Sequence, residues 1–441
     1  MTEVTLSQML DARDERVKKQ KNILNRFNHP LISFTMNIAG PIKTSPLIER
    51  SFFEGVRLLK ESLPQDSIVY QNIDIKPTGC EAMFSVKYEA QKVKDICSSI
   101  EEGVTIGRLF DMDVMNTDGS KLERKKPRSC FVCGAPGMAC AAGRVHPIRQ
   151  LQTVTREIME NYFFILDKKR CSYLATKSLL DEVYTTPKPG LVDCRNSGSH
   201  TDMNIHTFEK SAHALQSYFD ECFSIGKNTA NLSPSETFSF LRNAGILAEK
   251  IMYDATDGIN THKGIIYSLG ILCASIGRLW LPEIPFRCAS DICLESANIV
   301  NDAVQKDFKQ IDTTTAGGKA YLKYGLKGIR GEAASGFDSV LRIGLPCYKR
   351  LRDKNLSPND AGAITLLYLI SNVKDTNLYH RGGIEGAEYA VKATKKLLTD
   401  FPEPAKKQIE ALDDAFIKRN LSPGGCADLL AITYFLYSLA S

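Results

Sequence analysis

Along the first third of the chain hydrophobic and polar positions alternate in short runs. Ile32, Phe34, Met36 and Ile38 are separated by Ser33, Thr35 and Asn37. This period of two predicts a half-buried strand, and Gly40-Pro41 ends it as a turn. Phe84, Val86 and Tyr88 alternate with Ser85, Lys87 and Glu89, which predicts a strand over 82–89. Further strands are expected over 68–75 and 109–114. Asp11 to Leu24 and Pro46 to Leu63 read as helices; in the second, Phe52, Phe53, Val56 and Leu59 fall on helical spacing. The mixture is that of an α+β domain.

After about Thr153 the alternation is replaced by helical periodicity. Phe208, Ala212, Leu215, Phe219 and Cys222 recur at helical spacing. Ser233-Pro-Ser-Glu236 is a capping box with proline at the first helical position. Ser357-Pro358 and Ser422-Pro423 repeat the start signal. Leu429 to Ala440 is the most apolar stretch, but it is shorter than the roughly 20 residues of a membrane span and reads as a buried core helix. The expected architecture is an α+β N-terminal domain followed by a larger, essentially all-α C-terminal domain. The boundary is placed near Asp167, between two helical stretches, giving domains 1–167 and 168–441. A chain of 441 residues exceeds one ordinary core.

Composition narrows the function classes. Apolar residues make up 43% and charged residues 24%, with a formal net charge of +5 and both signs interspersed. That argues against nucleic-acid binding, which concentrates basic charge on one face. The one basic run, Arg124-Lys125-Lys126-Pro127-Arg128, reads as a solvated loop. No secretory signal is read at the start, so a cytoplasmic location without membrane attachment is expected, and the 13 cysteines should be mostly reduced.

Five loops of the second half gather Gly, Asn, His, Asp and Arg. They are Thr185 to Met203, Gly258 to Gly264, Gly328 to Ala333, Asp375 to Gly383, and Ser422 to Leu430. Lys188, Lys263, Arg330 and Arg381 can meet phosphate oxygens. Asn196 and Asn260 supply polar contacts, while Gly424 and Gly425, at a helix start, let the backbone approach an anion. Asp193, Asp202, Glu332, Asp375 and Asp428 can hold a hard cation or steer a proton. Any one such loop is also what helix capping produces; five together point to a phosphorylated substrate and a metal. In combination, the strings TPKPGLVD, NTHKG, RGEA and SPGG resemble the triphosphoribosyl-dephospho-CoA synthase family from about Ser172 onward. The resemblance implies an all-helical fold and transfer of the triphosphoribosyl group of ATP to 3′-dephospho-CoA with loss of adenine. Such a reaction passes through an oxocarbenium-like transition state. It calls for a carboxylate near the ribose (Asp193 or Glu332), a proton mover (His200 or His262), and Mg²⁺ with cations on the triphosphate, for which Asp375 and Asp428 are candidate ligands.

In the first half, Leu109-Phe-Asp111-Met-Asp113-Val places Asp111 and Asp113 on one strand face. Two such carboxylates can seat Mg²⁺ for nucleotidyl transfer or form an ordinary polar surface. Cys130-x-x-Cys133 followed by Cys140 and His146 can close on Zn²⁺ as four ligands or remain free thiols. With Arg13-Asp-Glu-Arg16, Gly40-Pro-Ile-Lys43, and Gly107-Arg108 before the strand, these segments resemble the citrate lyase holo-acyl-carrier-protein synthase family from about Leu6 to Leu166. The resemblance implies that a serine of the apo acyl carrier protein attacks the α-phosphate of the triphosphoribosyl group and releases pyrophosphate. Lys43 and Arg108 are expected phosphate contacts; Arg13 and Arg16 can instead face the carrier. The alternatives are the same chemistry serving malonate decarboxylase, or a non-catalytic zinc-bearing adaptor fused to a helical scaffold.

Overall fold

The N-terminal helix α1 (Leu6–Phe27) starts at Thr5, whose hydroxyl accepts the Gln8 N–H while the Gln8 side chain accepts from Thr5 N–H. It leads into β1 (Leu31–Met36), the segment of clearest alternation. This strand lies inside a four-stranded antiparallel sheet of order β2-β3-β1-β4. Helix α2 (Pro46–Ser62) carries the chain to the hairpin of β2 (Ile68–Lys76) and β3 (Gly79–Val86). From there α3 (Ala90–Gly103) leads through a 3₁₀ turn to β4 (Phe110–Met115), completing a βαββαβ connectivity. The expected strand over 82–89 stops at Val86, because Glu89 already caps α3.

The register decides which side chains meet. Phe34 lies between Ala82 and Met112, Thr35 between Glu81 and Asp111, and Ser33 between Met83 and Asp113. Since side chains alternate across a strand, Ile32, Phe34, Phe110, Met112 and Val114 enter the core, where Phe34 stacks on Phe52 of α2 at 5.0 Å. The opposite face is apolar at one end, where Leu31 and Met83 pack against Ile23 and Leu24 of α1. At its other end it carries Thr35, Glu81 and Asp111.

The computed structural model describes residues 2–309 and 316–440. It divides into two compact units, Met1–Leu166 and Asp167–Ser441. After the short α4 (Gly137–Ala142), the sequence position of that division falls inside one unbroken helix, α5 (Ile148–Tyr184). The two helical stretches expected on either side of Asp167 are therefore one. The stretch holds neither glycine nor proline. Met159, Phe163, Asp167, Cys171, Ala175, Leu179 and Val183 are all buried at intervals of four residues, a register a single helix satisfies. Asp167 keeps its place in this row by accepting the Trp280 Nε1–H at 2.8 Å.

Beyond α5 the chain is helical. The helices are α6 (Ile205–Ala214), α7 (Gln216–Asn228), α8 (Pro234–Ala255), α9 (Lys263–Leu279), α10 (Ala289–Lys309), α11 (Ala316–Tyr324), α12 (Gly328–Ala334), α13 (Leu345–Asp353), α14 (Pro358–Asn372), α15 (Thr376–Asp400), α16 (Lys406–Ile417) and α17 (Gly424–Ala440). α9 is buried at nearly every position from Ile265 to Gly277. It meets α7 backbone to backbone: a Cβ on Gly226 would sit 2.0 Å from Ala274 O, and one on Gly277 would sit 2.1 Å from Phe223 O. α17 is the expected buried apolar helix. No helix among the described residues is long and apolar enough to cross a membrane. α15 is kinked at Gly383, which has φ 65°.

Candidate active sites

In the first unit a cavity of about 370 Å³ opens over the polar end of the sheet. Its walls include Arg13 of α1, Thr35, Lys43, Glu81, Asp111 and Arg128. Arg16 also reaches it, but its guanidinium is taken by Glu81 Oε1 at 2.6 and 2.9 Å. Arg13 has no ion-pair partner among the described residues. The Lys43 ammonium donates to Ile38 O at 2.5 Å; burial and the nearby Arg13 hold its pKa below the usual lysine value. Arg128 is fixed by Phe110 O at 2.6 Å and by an ion pair with Glu101. Asp111 faces this cationic ring, yet the enclosing protein and the adjacent Asp113 push its carboxyl pKa up. Such a wall suits an anion with several phosphate oxygens, because Arg13 and Lys43 have no ion-pair partner among the described residues and can bind it without first breaking a salt bridge.

Not every expected residue lines this cavity. Asp113 shares the strand face but pairs with Lys121 at 2.7 Å. Arg108 donates to Ser129 Oγ at 2.9 Å and to the Ser129 carbonyl. Conversely, Arg128, read from sequence as part of a solvated loop, is a wall residue. Its bond to Phe110 O at the start of β4 places it there; in the sequence it stands in the Pro127-Arg-Ser-Cys130 string that resembles the holo-acyl-carrier-protein synthase family, which gives it no role of its own.

Cys130, Cys133, Cys140 and His146 do come together. Their ligand atoms all lie within 4.8 Å of one another. Cys133 Sγ is 3.5 Å from Cys140 Sγ and 3.3 Å from His146 Nε2. A tetrahedral metal with bonds of about 2.3 Å has ligand–ligand edges of roughly 3.8 Å, so the group needs only a small adjustment to close on an ion. The Cys130–Ala135 turn supports it: Gly134 takes φ 76°, and the Val132 N–H points at Cys130 Sγ at 3.4 Å. All described cysteines are free thiols.

In the second unit the loop from Thr185 to Met203 is folded around two carboxylates. Asp193 accepts the N–H groups of Lys188 at 2.8 Å, Arg195 at 2.7 Å and Asn196 at 3.1 Å. Asp413 of α16 accepts Gly190 N–H at 2.8 Å, Arg195 Nη1 at 2.5 Å and Asn196 Nδ2 at 2.8 Å. Asp413 carries no sequence motif of its own. Lys188 is fully buried, and its ammonium donates to the Glu182 carbonyl at 2.7 Å and to the Glu182 carboxylate. It is thus an internal partner rather than a surface phosphate contact.

His200 bridges two more loops. The Arg381 guanidinium, a donor only, gives a hydrogen bond to Nδ1 at 3.2 Å, so Nε2 carries the proton toward Ser422 Oγ at 2.9 Å. Burial and the Arg381 charge lower the His200 pKa. Arg381 also holds Ser199 O and Asn420 Oδ1. His262 is buried and accepts the Ser211 hydroxyl on Nδ1 at 2.6 Å, Ser211 in turn accepting from Thr261. Burial, then Lys188, push its pKa down to about 3. It is a neutral imidazole whose Nε2–H has no acceptor among the described residues.

The remaining picks separate. Asp375 caps α15 through the Asn377 N–H at 2.7 Å, and its other oxygen accepts Cys426 N–H at 2.7 Å. Gly424 and Gly425 leave room for Asn377 and Asp375: a Cβ on Gly424 would sit 2.4 Å from Asn377 Nδ2. Glu332 accepts Ser339 Oγ at 2.7 Å. Asn260 Oδ1 accepts Lys263 N–H at 3.3 Å; Lys263 pairs with Glu249 at 2.8 Å and Arg330 with Asp307 at 3.1 Å, both half exposed. Asp428 differs from all of these. It accepts no hydrogen bond among the described residues, and burial, then Glu182 and Asp375, push its pKa well above the ordinary carboxylate range. Gly264 is the residue beside it, where a Cβ would lie 2.2 Å from Oδ2.

A cation-walled cavity on one unit and a knot of buried carboxylates and imidazoles on the other define a two-part enzyme handling phosphorylated substrates. Residues 168–441 match the family described as ATP:dephospho-CoA triphosphoribosyl transferase, and residues 4–162 match apo-citrate lyase phosphoribosyl-dephospho-CoA transferase. "Protein CitXG" of Haemophilus influenzae is 35% identical, covering 99% of this chain and 97% of that relative. "Protein CitXG" of Leuconostoc mesenteroides subsp. cremoris is 33% identical with the same coverage. The 2-(5''-triphosphoribosyl)-3'-dephosphocoenzyme-A synthase of Escherichia fergusonii is 40% identical over 62% of this chain and 91% of its own length. The chain belongs to the fused citrate lyase prosthetic-group enzymes. It is a bifunctional transferase, with the triphosphoribosyl-dephospho-CoA synthase following the holo-acyl-carrier-protein synthase. The apo-citrate lyase match decides against malonate decarboxylase as the client, and both family matches against a non-catalytic adaptor.

Proposed function

We propose that the synthase reaction is centred on Asp428. What supports this reading is that, unlike Asp193, Glu332 and Asp375, Asp428 has no protein donor among the described residues. Asp193, Glu332 and Asp375 are engaged in holding loops and act as positioning residues. A half-buried carboxylate beside Glu182 and Asp375 is costly unless a cation or a developing positive charge meets it. In the reaction the 2′-hydroxyl of 3′-dephospho-CoA attacks the anomeric carbon of the ATP ribose and adenine leaves. Asp428 would face the positive ribosyl centre, and Mg²⁺ bound with the triphosphate would supply charge neutralisation. His200, neutral with Nε2–H toward Ser422, is the better candidate for moving a proton. His262 stays neutral and serves as a hydrogen-bond donor. Lys263, Arg330 and Arg381 are proposed to meet the triphosphate, the first two after exchanging their surface carboxylate partners. The test is adenine release by Asp428→Asn, with Glu332→Gln beside it. A near-normal rate in Asp428→Asn and a collapsed one in Glu332→Gln would move the centre to Glu332.

For the transferase, we propose that the 370 Å³ cavity holds the triphosphate of the precursor. Arg13, Lys43 and Arg128 would meet its oxygens while the carrier-protein serine attacks the α-phosphate and pyrophosphate departs. Asp111 would hold Mg²⁺ on the leaving group, with Asp113 adjusting its charge from the second position. The Cys130–Cys133–Cys140–His146 group is proposed to hold Zn²⁺, on the strength of its donor set and spacing. A cytoplasmic location is proposed from the free thiols.

A further inference from the structure

We infer that the Cys/His metal group is a clasp that positions Arg128 in the transferase cavity, making carrier modification depend on bound Zn²⁺ while synthesis of the precursor does not. The inference rests on the reading of that cavity as the transferase site. Three observations carry it. First, the segment has no core: no residue from Met115 to Val154 is buried. A stretch without apolar burial needs another staple, and a four-ligand metal is the usual one for small modules. Second, the donors converge, all within 4.8 Å, and nothing else in the segment is so concentrated. Third, the clasp is covalently and geometrically continuous with the wall. Arg128 stands two residues before Cys130. Its carbonyl accepts the Gly137 N–H at 2.8 Å, Ser129 bridges Pro136, and Cys130 N–H reaches Ala135 O at 2.6 Å. These bonds form a narrow loop that carries Cys130 and Cys133, while Cys140 sits on α4 and His146 in the turn after it. Arg108 is tied to the same loop through Ser129, which gives it a role without reaching the cavity.

A metal joining Cys130 to Cys133, Cys140 and His146 therefore fixes the arm from which the Arg128 guanidinium extends to Phe110 O and Glu101. Without it, the arm is held by a few backbone bonds in an exposed segment, and Arg128 keeps its place only through Phe110 O and Glu101. Arg128 touches the phosphate; the ligands act through it, as positioning residues.

The test uses the full chain. Metal content of the purified protein is measured first, and about one zinc per chain is expected from a four-ligand site. Zinc is then removed from the wild type with a chelator and returned; Cys133→Ser and Cys140→His are made in parallel. Three readouts follow: adenine release, kcat and KM for carrier labelling, and binding of inorganic pyrophosphate by calorimetry. Zinc removal should raise the KM for the precursor and weaken pyrophosphate binding by roughly tenfold or more, the scale on which a lost positioning contact acts. Adenine release should stay within about twofold, and added zinc should restore the transferase. Cys140→His, which still offers a ligand, should keep both metal and labelling. A metal-free wild type with full labelling, or a zinc-depleted protein with unchanged KM and pyrophosphate binding, would overturn the clasp. Arg128→Ala separates the two levels. If it labels the carrier normally, the cavity reading fails; if it fails to label while zinc removal has no effect, only the clasp does.

Discussion

Asp428, half-buried on α17, and Asp193, buried in the Thr185–Met203 loop, have surroundings that assign them opposite work. Asp193 receives three backbone N–H groups; Asp428 receives none among the described residues. Asp428→Asn is expected to lower kcat for adenine release by roughly a hundredfold or more, the range of lost electrostatic stabilisation, with unchanged or raised melting temperature because a like charge beside Glu182 is removed. Asp193→Asn should instead lower the melting temperature, since it loses a charged acceptor for three donors. Sequence brought both to notice, but could not rank them: the difference lies in which donors the fold delivers. His262 adds a pH prediction. The unfolded chain binds this proton near pH 6.5, whereas the native imidazole takes it only near pH 3. Its contribution to stability is therefore complete above pH 6.5 and is lost as pH falls toward 3, at about 1.4 kcal/mol per pH unit. Melting curves from pH 7 to pH 4 should fall less steeply for His262→Gln than for the wild type; parallel slopes would contradict the assignment.

At the scale of elements, glycines mark where loops and helices must touch. Gly190 has φ 72°, and a Cβ there would lie 2.1 Å from Leu421 O. Gly190→Ala should lower stability by about 2 kcal/mol or more, from backbone strain and the clash with a rigid carbonyl. Gly264→Ala meets a carboxylate oxygen at the end of a side chain, 2.2 Å away. It should leave the melting temperature near that of the wild type and reduce adenine release by displacing Asp428. Denaturant melts and adenine assays of the two variants check both outcomes. Strand and helix positions were legible because β1 and α2 have unambiguous periods and α17 is a continuous apolar run. The limits of α5 were not, because a polar Asp167 interrupts the apolar row and only its bond to Trp280 shows that it belongs there. The hidden wall residue Arg128 lies in a segment with no buried residue and hence no periodicity to read.

For the whole molecule, the two units carry two consecutive steps, with the consumer of the precursor preceding its maker along the chain. The fused relatives cover the full chain, while the Escherichia fergusonii synthase corresponds to its C-terminal part. Both steps are expected on this one chain, the second delivering the product of the first to a carrier serine. The most direct measurement is mass spectrometry of the apo acyl carrier protein of citrate lyase after incubation with this protein, ATP, Mg²⁺ and 3′-dephospho-CoA. The expected result is a carrier heavier by one phosphoribosyl-dephospho-CoA on a serine, with adenine and pyrophosphate released and no labelling when dephospho-CoA is omitted. An unmodified carrier, or ATP converted to ADP or AMP with adenine still attached, would contradict the account.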